Sequence, residues 1–157
     1  SPELEHIEIG ALLHDVGKVG VPNTIIQKPG HLTDEEWIKM REHPAIGYEL
    51  LWRHELLRGA APVVKYHHEH YDGNGYPEKL SGEDIPAGAR IFAVVDAFDT
   101  ITSKRAYKEA RSIAEARAEI NRCAGTQFDP KVVETFNSIT DDEFLAIRQG
   151  VAAQYGA

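Results

Sequence analysis

The stretch PAGARIFAVVDAFDTITS, residues 86–103, constrains the fold more than any other part of the chain. Wound as a helix, it has Ile91, Phe92, Val94, Val95, Phe98 and Ile101 distributed so that no solvated stripe remains, which predicts a central helix packed on all sides. Asp96 and Asp99 lie inside this apolar segment. An ionised carboxylate in a buried helix is costly unless a positive group meets it, so Asp96 calls for a basic side chain or a metal ion beside it.

The flanking segments supply helices to surround it. Leu4, Ile7, Ala11 and Leu12 recur at helical spacing up to a stop near Gly17, so His14 and Asp15 are expected to close a first helix. Prolines and glycines break VGVPNTIIQKPGHLT into a loop with at most a short helical turn. Thr33 with Glu36 and Ser112 with Glu115 have capping-box spacing. The first box starts a helix running toward His43, and Pro44 opens the next. A further helix from about Ala60 reaches His67 and His68 and is cut off by DGNG. Asp129–Pro130 and Thr140 or Asp141 begin two more, and the weakly patterned tail after Gln149 is expected to fray. No two-residue alternation of β type occurs, so the class expected is all-α, a single domain of roughly seven helices.

Composition limits what such a domain does. At 157 residues it is long enough to bury a core, and with 42% hydrophobic and 27% charged residues it has an ordinary globular balance. No apolar run approaches the roughly 18 residues that span a bilayer. The single Cys123 and the lack of a signal-peptide pattern suit a reducing, cytoplasmic setting. A net charge of −8 argues against binding a nucleic acid polymer but not against a small anion held through metal ions. Of the eight histidines, His14, His43, His67 and His68 all fall where a helix is expected to end. Imidazole and carboxylate donors together suit Fe, Mn, Zn, Ni or Co, and one carboxylate can bridge two such ions.

The segments LLHDVGKVGVP, EHP, HHEHYDGNGYP and VVDAFDTITSKRAY, in this order, resemble the HD-GYP domain, a subgroup of the HD superfamily of metal-dependent phosphohydrolases. The resemblance implies an HD-domain helical bundle and hydrolysis of the bacterial second messenger cyclic di-GMP to pGpG, with a second cut to GMP as an extension. It implies two divalent transition-metal ions, Fe or Mn first and Zn, Ni or Co as alternatives. Asp15 would bridge them, with His14 and Asp96 on one ion and His43, His67 and His68 on the other. Lys18 resembles the family lysine that faces the scissile phosphate. Arg105 and Lys108 resemble residues that grip ligand phosphates, and Tyr76 is expected to be exposed to whatever approaches the site.

Asp99 is expected to hydrogen-bond a ligand histidine, and Glu69, His70 and Asp72 to be support or surface. Gly73 and Gly75 are expected to permit positive φ in the GYP loop, where Pro77 sets the exit. In the family that loop is linked to contacts with GGDEF-type cyclases, and a sensor or receiver domain lies upstream. A family helix ahead of the HD pair, which supplies a further histidine to the ion held by His14 and Asp96, is expected to be missing from 1–157. His6 is no substitute, being rotated by about 80° and two turns from His14. The His14–Asp96 position is therefore expected to be the weaker one. Two other readings remain: a module that senses cyclic di-GMP or docks partners without cleaving, and an HD phosphohydrolase for another nucleotide.

Overall fold

The computed structural model describes residues 1–104 and 109–155. Among these, nine α-helices and three 3₁₀ turns account for the regular structure, and no β-strand forms beyond an isolated Ala124–Phe128 bridge. The helices are α1 (Pro2–Leu13), α2 (Asn23–Ile26), α3 (Asp34–Met40), α4 (His43–Trp52), α5 (Ala61–Tyr66), α6 (Ala87–Thr102), α7 (Ile113–Arg122), α8 (Pro130–Ser138) and α9 (Asp141–Tyr155). The all-α expectation holds, with more and shorter helices than the sequence suggests. The single turn α2 is the short helical turn expected within that loop; it starts after Pro22, whose fixed φ prepares it.

Local chemistry sets the boundaries. Both predicted capping boxes form, at Thr33–Glu36 and Ser112–Glu115. A third joins Thr140 and Glu143, the Thr140 hydroxyl accepting from the Glu143 N–H at 3.3 Å while Glu143 accepts from the Thr140 N–H at 2.7 Å. From that cap α9 continues to Tyr155, and Arg148 on it donates to Thr102 Oγ1 at 2.9 Å.

Two core clusters lie on either side of α6. One joins Val94 of α6 to Ile120, Cys123, Phe128, Val133 and Phe136, with Phe98 and Phe144 packed against it. The other joins Leu51, Ala60, Ala61 and Val64, covered by Ile9, Leu13 and Tyr48. Helix α6 touches α1 and α5 on one side and α7 and α8 on the other. It is central as expected, but it is not buried all round. Ile91 is 39% exposed and Val95 52% exposed, because the flanking helices leave one stripe of α6 open. Asp96 is half-buried and sits where the two halves of the bundle meet.

Candidate metal centre

Four histidines converge because each stands at a helix end. His14 is the C-cap of α1 and His67 that of α5, with His68 following it. His43 differs from expectation: α3 stops at Met40, and His43 is instead the first residue of α4, with Pro44 second. Proline suits that position since its missing N–H would have no helical partner there.

Backbone carbonyls orient three of the rings. Nδ1 of His14 donates to Ala11 O at 2.7 Å, Nδ1 of His43 to Met40 O at 2.8 Å, and Nδ1 of His67 to Val64 O at 2.7 Å. A proton held on Nδ1 leaves Nε2 as the lone-pair donor, the usual arrangement of a metal-ligating histidine. One ring nitrogen from each of His43, His67 and His68 lies within 4.8 Å of the others. Nε2 of His43 and of His67 is buried and without a hydrogen-bond partner. Leaving such atoms unsatisfied costs roughly 1–3 kcal/mol each, and a cation between them removes that cost.

Asp15 lies between two of these rings. Its Oδ2 is 3.4 Å from His14 Nε2 and its Oδ1 is 3.5 Å from His43 Nε2. The next residues form a 3₁₀ turn, Val16–Gly20, in which positions three apart eclipse one another. Lys18 therefore reaches back to donate to Asp15 Oδ2 at 2.8 Å. Gly17 makes the approach possible: a Cβ there would lie 1.8 Å from His43 O and 2.5 Å from Gly47 N.

Burial and hydrogen bonding set the protonation of these groups in different directions. Burial favours neutral Asp15, but hydrogen bonds from His14 and Lys18 outweigh it and hold the carboxyl well below its ordinary range. The hydrogen bond to Asp15 raises His14, against its burial, and Asp96 adds to that rise. Burial lowers His43. Burial also pushes His67 down to about 4 and His68 down to about 2, with the neighbouring imidazoles adding to the effect. His67 and His68 are thus neutral donors at neutral pH. Phe92 closes one side, its ring 5.0 Å from that of His14 and 6.0 Å from that of His67. A cavity of about 350 Å³ adjoins the rings, walled by His67, His68, Glu69, Asp96, Thr100 and Gln127.

Other expected residues fall differently. Tyr76 is half-buried against His68, with ring centroids 4.8 Å apart and planes 21° apart, so it braces that imidazole rather than standing free. Asp99 is exposed and accepts from Ser103 Oγ at 2.8 Å, and the orienting partners of His14, His43 and His67 are main-chain carbonyls instead. Arg105 and Lys108 lie outside the described residues. The ring of His6 lies against Gly59.

In the loop after His68, Gly73 has φ of 82° as expected. Gly75 serves another purpose, since a Cβ there would come within 2.2 Å of His70 N and 2.5 Å of His68 O. Glu69 is buried and accepts from the Glu78 N–H at 2.7 Å, while Tyr76 N–H donates to His68 O at 3.1 Å. Sequence reasoning gave Glu69 no specific part. The only signal was a charged residue directly after two ligand-type histidines.

An HD domain family model matches residues 1–132, the stretch that carries the His14–Asp15 pair and the histidine cluster. The chain belongs to the HD-domain family. It is 44% identical to a cyclic di-GMP phosphodiesterase of Vibrio cholerae serotype O1, over 92% of the chain and 30% of that relative. It is 46% identical to the cyclic di-GMP phosphodiesterase response regulator RpfG of Xanthomonas campestris pv. campestris, over 84% and 35% respectively. A 3′3′-cGAMP-specific phosphodiesterase 2 of V. cholerae is 42% identical, over 93% of the chain and 28% of the relative. The chain thus spans about a third of the length of these curated relatives. A solved structure of a cyclic GMP-AMP-specific phosphodiesterase of V. cholerae shares the fold, with a TM-score of 0.65 at 24% identity, covering 87% of this chain and 38% of that one. The HD-GYP resemblance seen in the motifs agrees with these relatives.

Proposed function

We propose that this HD domain is a metal-dependent phosphodiesterase that hydrolyses cyclic di-GMP to pGpG. The observation that carries the reading is the pair of buried, unpartnered Nε2 atoms of His43 and His67 beside His68 and the ionised Asp15. Three neutral imidazoles and a carboxylate form a donor set for a divalent transition metal, with Fe or Mn favoured and Zn, Ni or Co as alternatives. In this reading His43, His67, His68 and Asp15 would hold one ion, and His14 and Asp96, with Asp15 shared, would hold a second. Bound there, the ions supply positive charge to the phosphodiester and lower the pKa of water.

The chain's own groups do the rest. Asp15 stays ionised through His14 and Lys18, so it remains a two-oxygen donor. Lys18 keeps an ammonium at Asp15, where negative charge accumulates on the phosphoryl oxygens as the bond to the leaving sugar breaks. Phe92 excludes water from the back of the rings, and the carbonyls of Ala11, Met40 and Val64 prevent the imidazoles from rotating. Arg105 and Lys108 are proposed as phosphate contacts, and the GYP loop as a surface for GGDEF-type proteins. No helix among the described residues is long and apolar enough to cross a membrane.

A second substrate is favoured by the 42% identity to a 3′3′-cGAMP-specific enzyme. The test loads the chelator-treated protein with Mn or, anaerobically, Fe(II), and follows both cyclic dinucleotides by chromatography. Metal-dependent release of pGpG supports the proposal, and preferential cleavage of 3′3′-cGAMP supports the second reading. Failure to cleave either overturns both.

A further inference from the structure

We propose that Arg41 is a phosphate-binding residue of the substrate site, holding the phosphodiester that is not being cut. This rests on the cyclic dinucleotide reading above. Arg41 is the exposed C-cap of α3, two residues before His43. Its guanidinium lies over the Tyr76 ring at 5.2 Å and over the Trp37 ring at 5.8 Å. Tyr76 in turn stacks on His68, so one aromatic ring joins the guanidinium to an imidazole of the metal centre.

Three features make this arginine a ligand group rather than a structural one. Among the described residues it forms no ion pair with a carboxylate, unlike Lys18, which is engaged by Asp15, or Arg90, which is engaged by Asp129. A guanidinium resting on aromatic rings is held in place while its in-plane N–H groups stay available, and their fork matches paired phosphate oxygens. The site itself is rich in carboxylates, with Asp15, Glu69 and Asp96 near the rings, so a substrate with two phosphodiesters needs a cation away from the metal position. Glu69 links the two halves by fixing Glu78 N–H and thereby the loop that carries Tyr76.

The experiment measures steady-state kinetics of the metal-loaded chain on cyclic di-GMP and on bis(p-nitrophenyl) phosphate, which has a single phosphodiester. Arg41→Ala is expected to raise KM for cyclic di-GMP about tenfold, the scale of a lost charge-assisted contact, and to change kcat far less. The small ester should lose much less of its kcat/KM than the dinucleotide does. Arg41→Lys should fall between, since it keeps the charge without the fork, and Trp37→Leu should reproduce part of the KM rise. An unchanged KM in Arg41→Ala, or equal losses on both substrates, overturns the assignment. If the wild-type protein cleaves only the small ester, cyclic di-GMP is used as an inhibitor: a weaker inhibition of Arg41→Ala supports the contact and an equal one overturns it. If wild-type protein shows neither turnover nor inhibition by cyclic di-GMP, the proposed function fails and the Arg41 assignment with it.

Discussion

Tyr76 packs its ring on the imidazole of His68, centroids 4.8 Å apart and planes inclined by 21°. The residue that gives the GYP loop its tyrosine is thereby a wall of the histidine cluster. Burial pushes its hydroxyl up to about 12, so the phenol stays protonated across the working range. Stacked aromatic pairs contribute about 0.5–1.5 kcal/mol, which sets the expected effect of removing one. Tyr76→Leu should weaken metal binding by roughly two- to tenfold in a competition with a coloured chelator. Tyr76→Phe, which keeps the ring, should bind metal like the wild type.

Gly17 lets the turn after Asp15 touch α4. Gly17→Ala forces a methyl against His43 O and Gly47 N, which backbone cannot yield cheaply. A loss of at least about 3 kcal/mol is expected, at the upper end of overpacking costs. Urea unfolding of the metal-free protein measures it. A near-normal midpoint would mean that Asp15 is not held against His43 by this contact.

Asp129 is only 2% exposed and pairs with Arg90, Nη1 to Oδ2, at 2.5 Å, while its Oδ1 accepts from Lys131 N–H at 2.8 Å as the cap of α8. Removing Arg90 strands a buried charge. Arg90→Leu should therefore cost about 3–5 kcal/mol, read as a fall in the denaturation midpoint. Asp129 and Arg90 line a cavity that includes none of the histidines, so metal affinity at temperatures where the variant is folded should change little.

Proton uptake by His67 and His68 in chelator-treated protein should be visible in stability. In the unfolded chain His67 and His68 take up protons near 6.5, whereas folded they resist until about 4 and about 2. Between those values the unfolded state binds more protons, so stability of metal-free protein is fully present above 6.5 and is lost as pH falls toward 4. The loss approaches about 1.4 kcal/mol per pH unit for each ring; the raised pKa of His14 acts in the opposite direction but only above 6.5, where its contribution is lost as pH rises. Chelator-treated protein should thus melt lower at pH 5 than at pH 7, and saturating metal should remove most of the difference. A flat profile would mean that these rings are not shielded from protons.

The helical class was legible because start and stop signals are dense: Thr33–Glu36 and Ser112–Glu115 form the boxes their spacing predicts. The convergence of His43, His67 and His68 was legible because each falls beside a helix end, even though His43 begins a helix rather than ending one. Periodicity alone misjudged α6. An all-apolar face pattern cannot say which neighbours are present, and Ile91 and Val95 are left open. The partners that orient His14, His43 and His67 were invisible, since a backbone carbonyl three residues earlier has no sequence signature and Asp99 looked the better donor partner. The same holds for Glu69 and Arg41, whose parts depend on how the loop after His68 folds back on itself.

Asp15, which lies between the rings of His14 and His43, is the residue on which both positions of the proposed centre depend. The most direct measurement compares turnover of cyclic di-GMP by wild-type protein and Asp15→Asn, each loaded with the same metal and assayed beside a chelator-treated control. The wild type should release pGpG only with metal, and the variant should lose at least about a hundredfold in kcat, on the scale seen when a group that stabilises transition-state charge is removed. Metal-independent cleavage, or an Asp15→Asn variant that works as well as the wild type, would contradict the account.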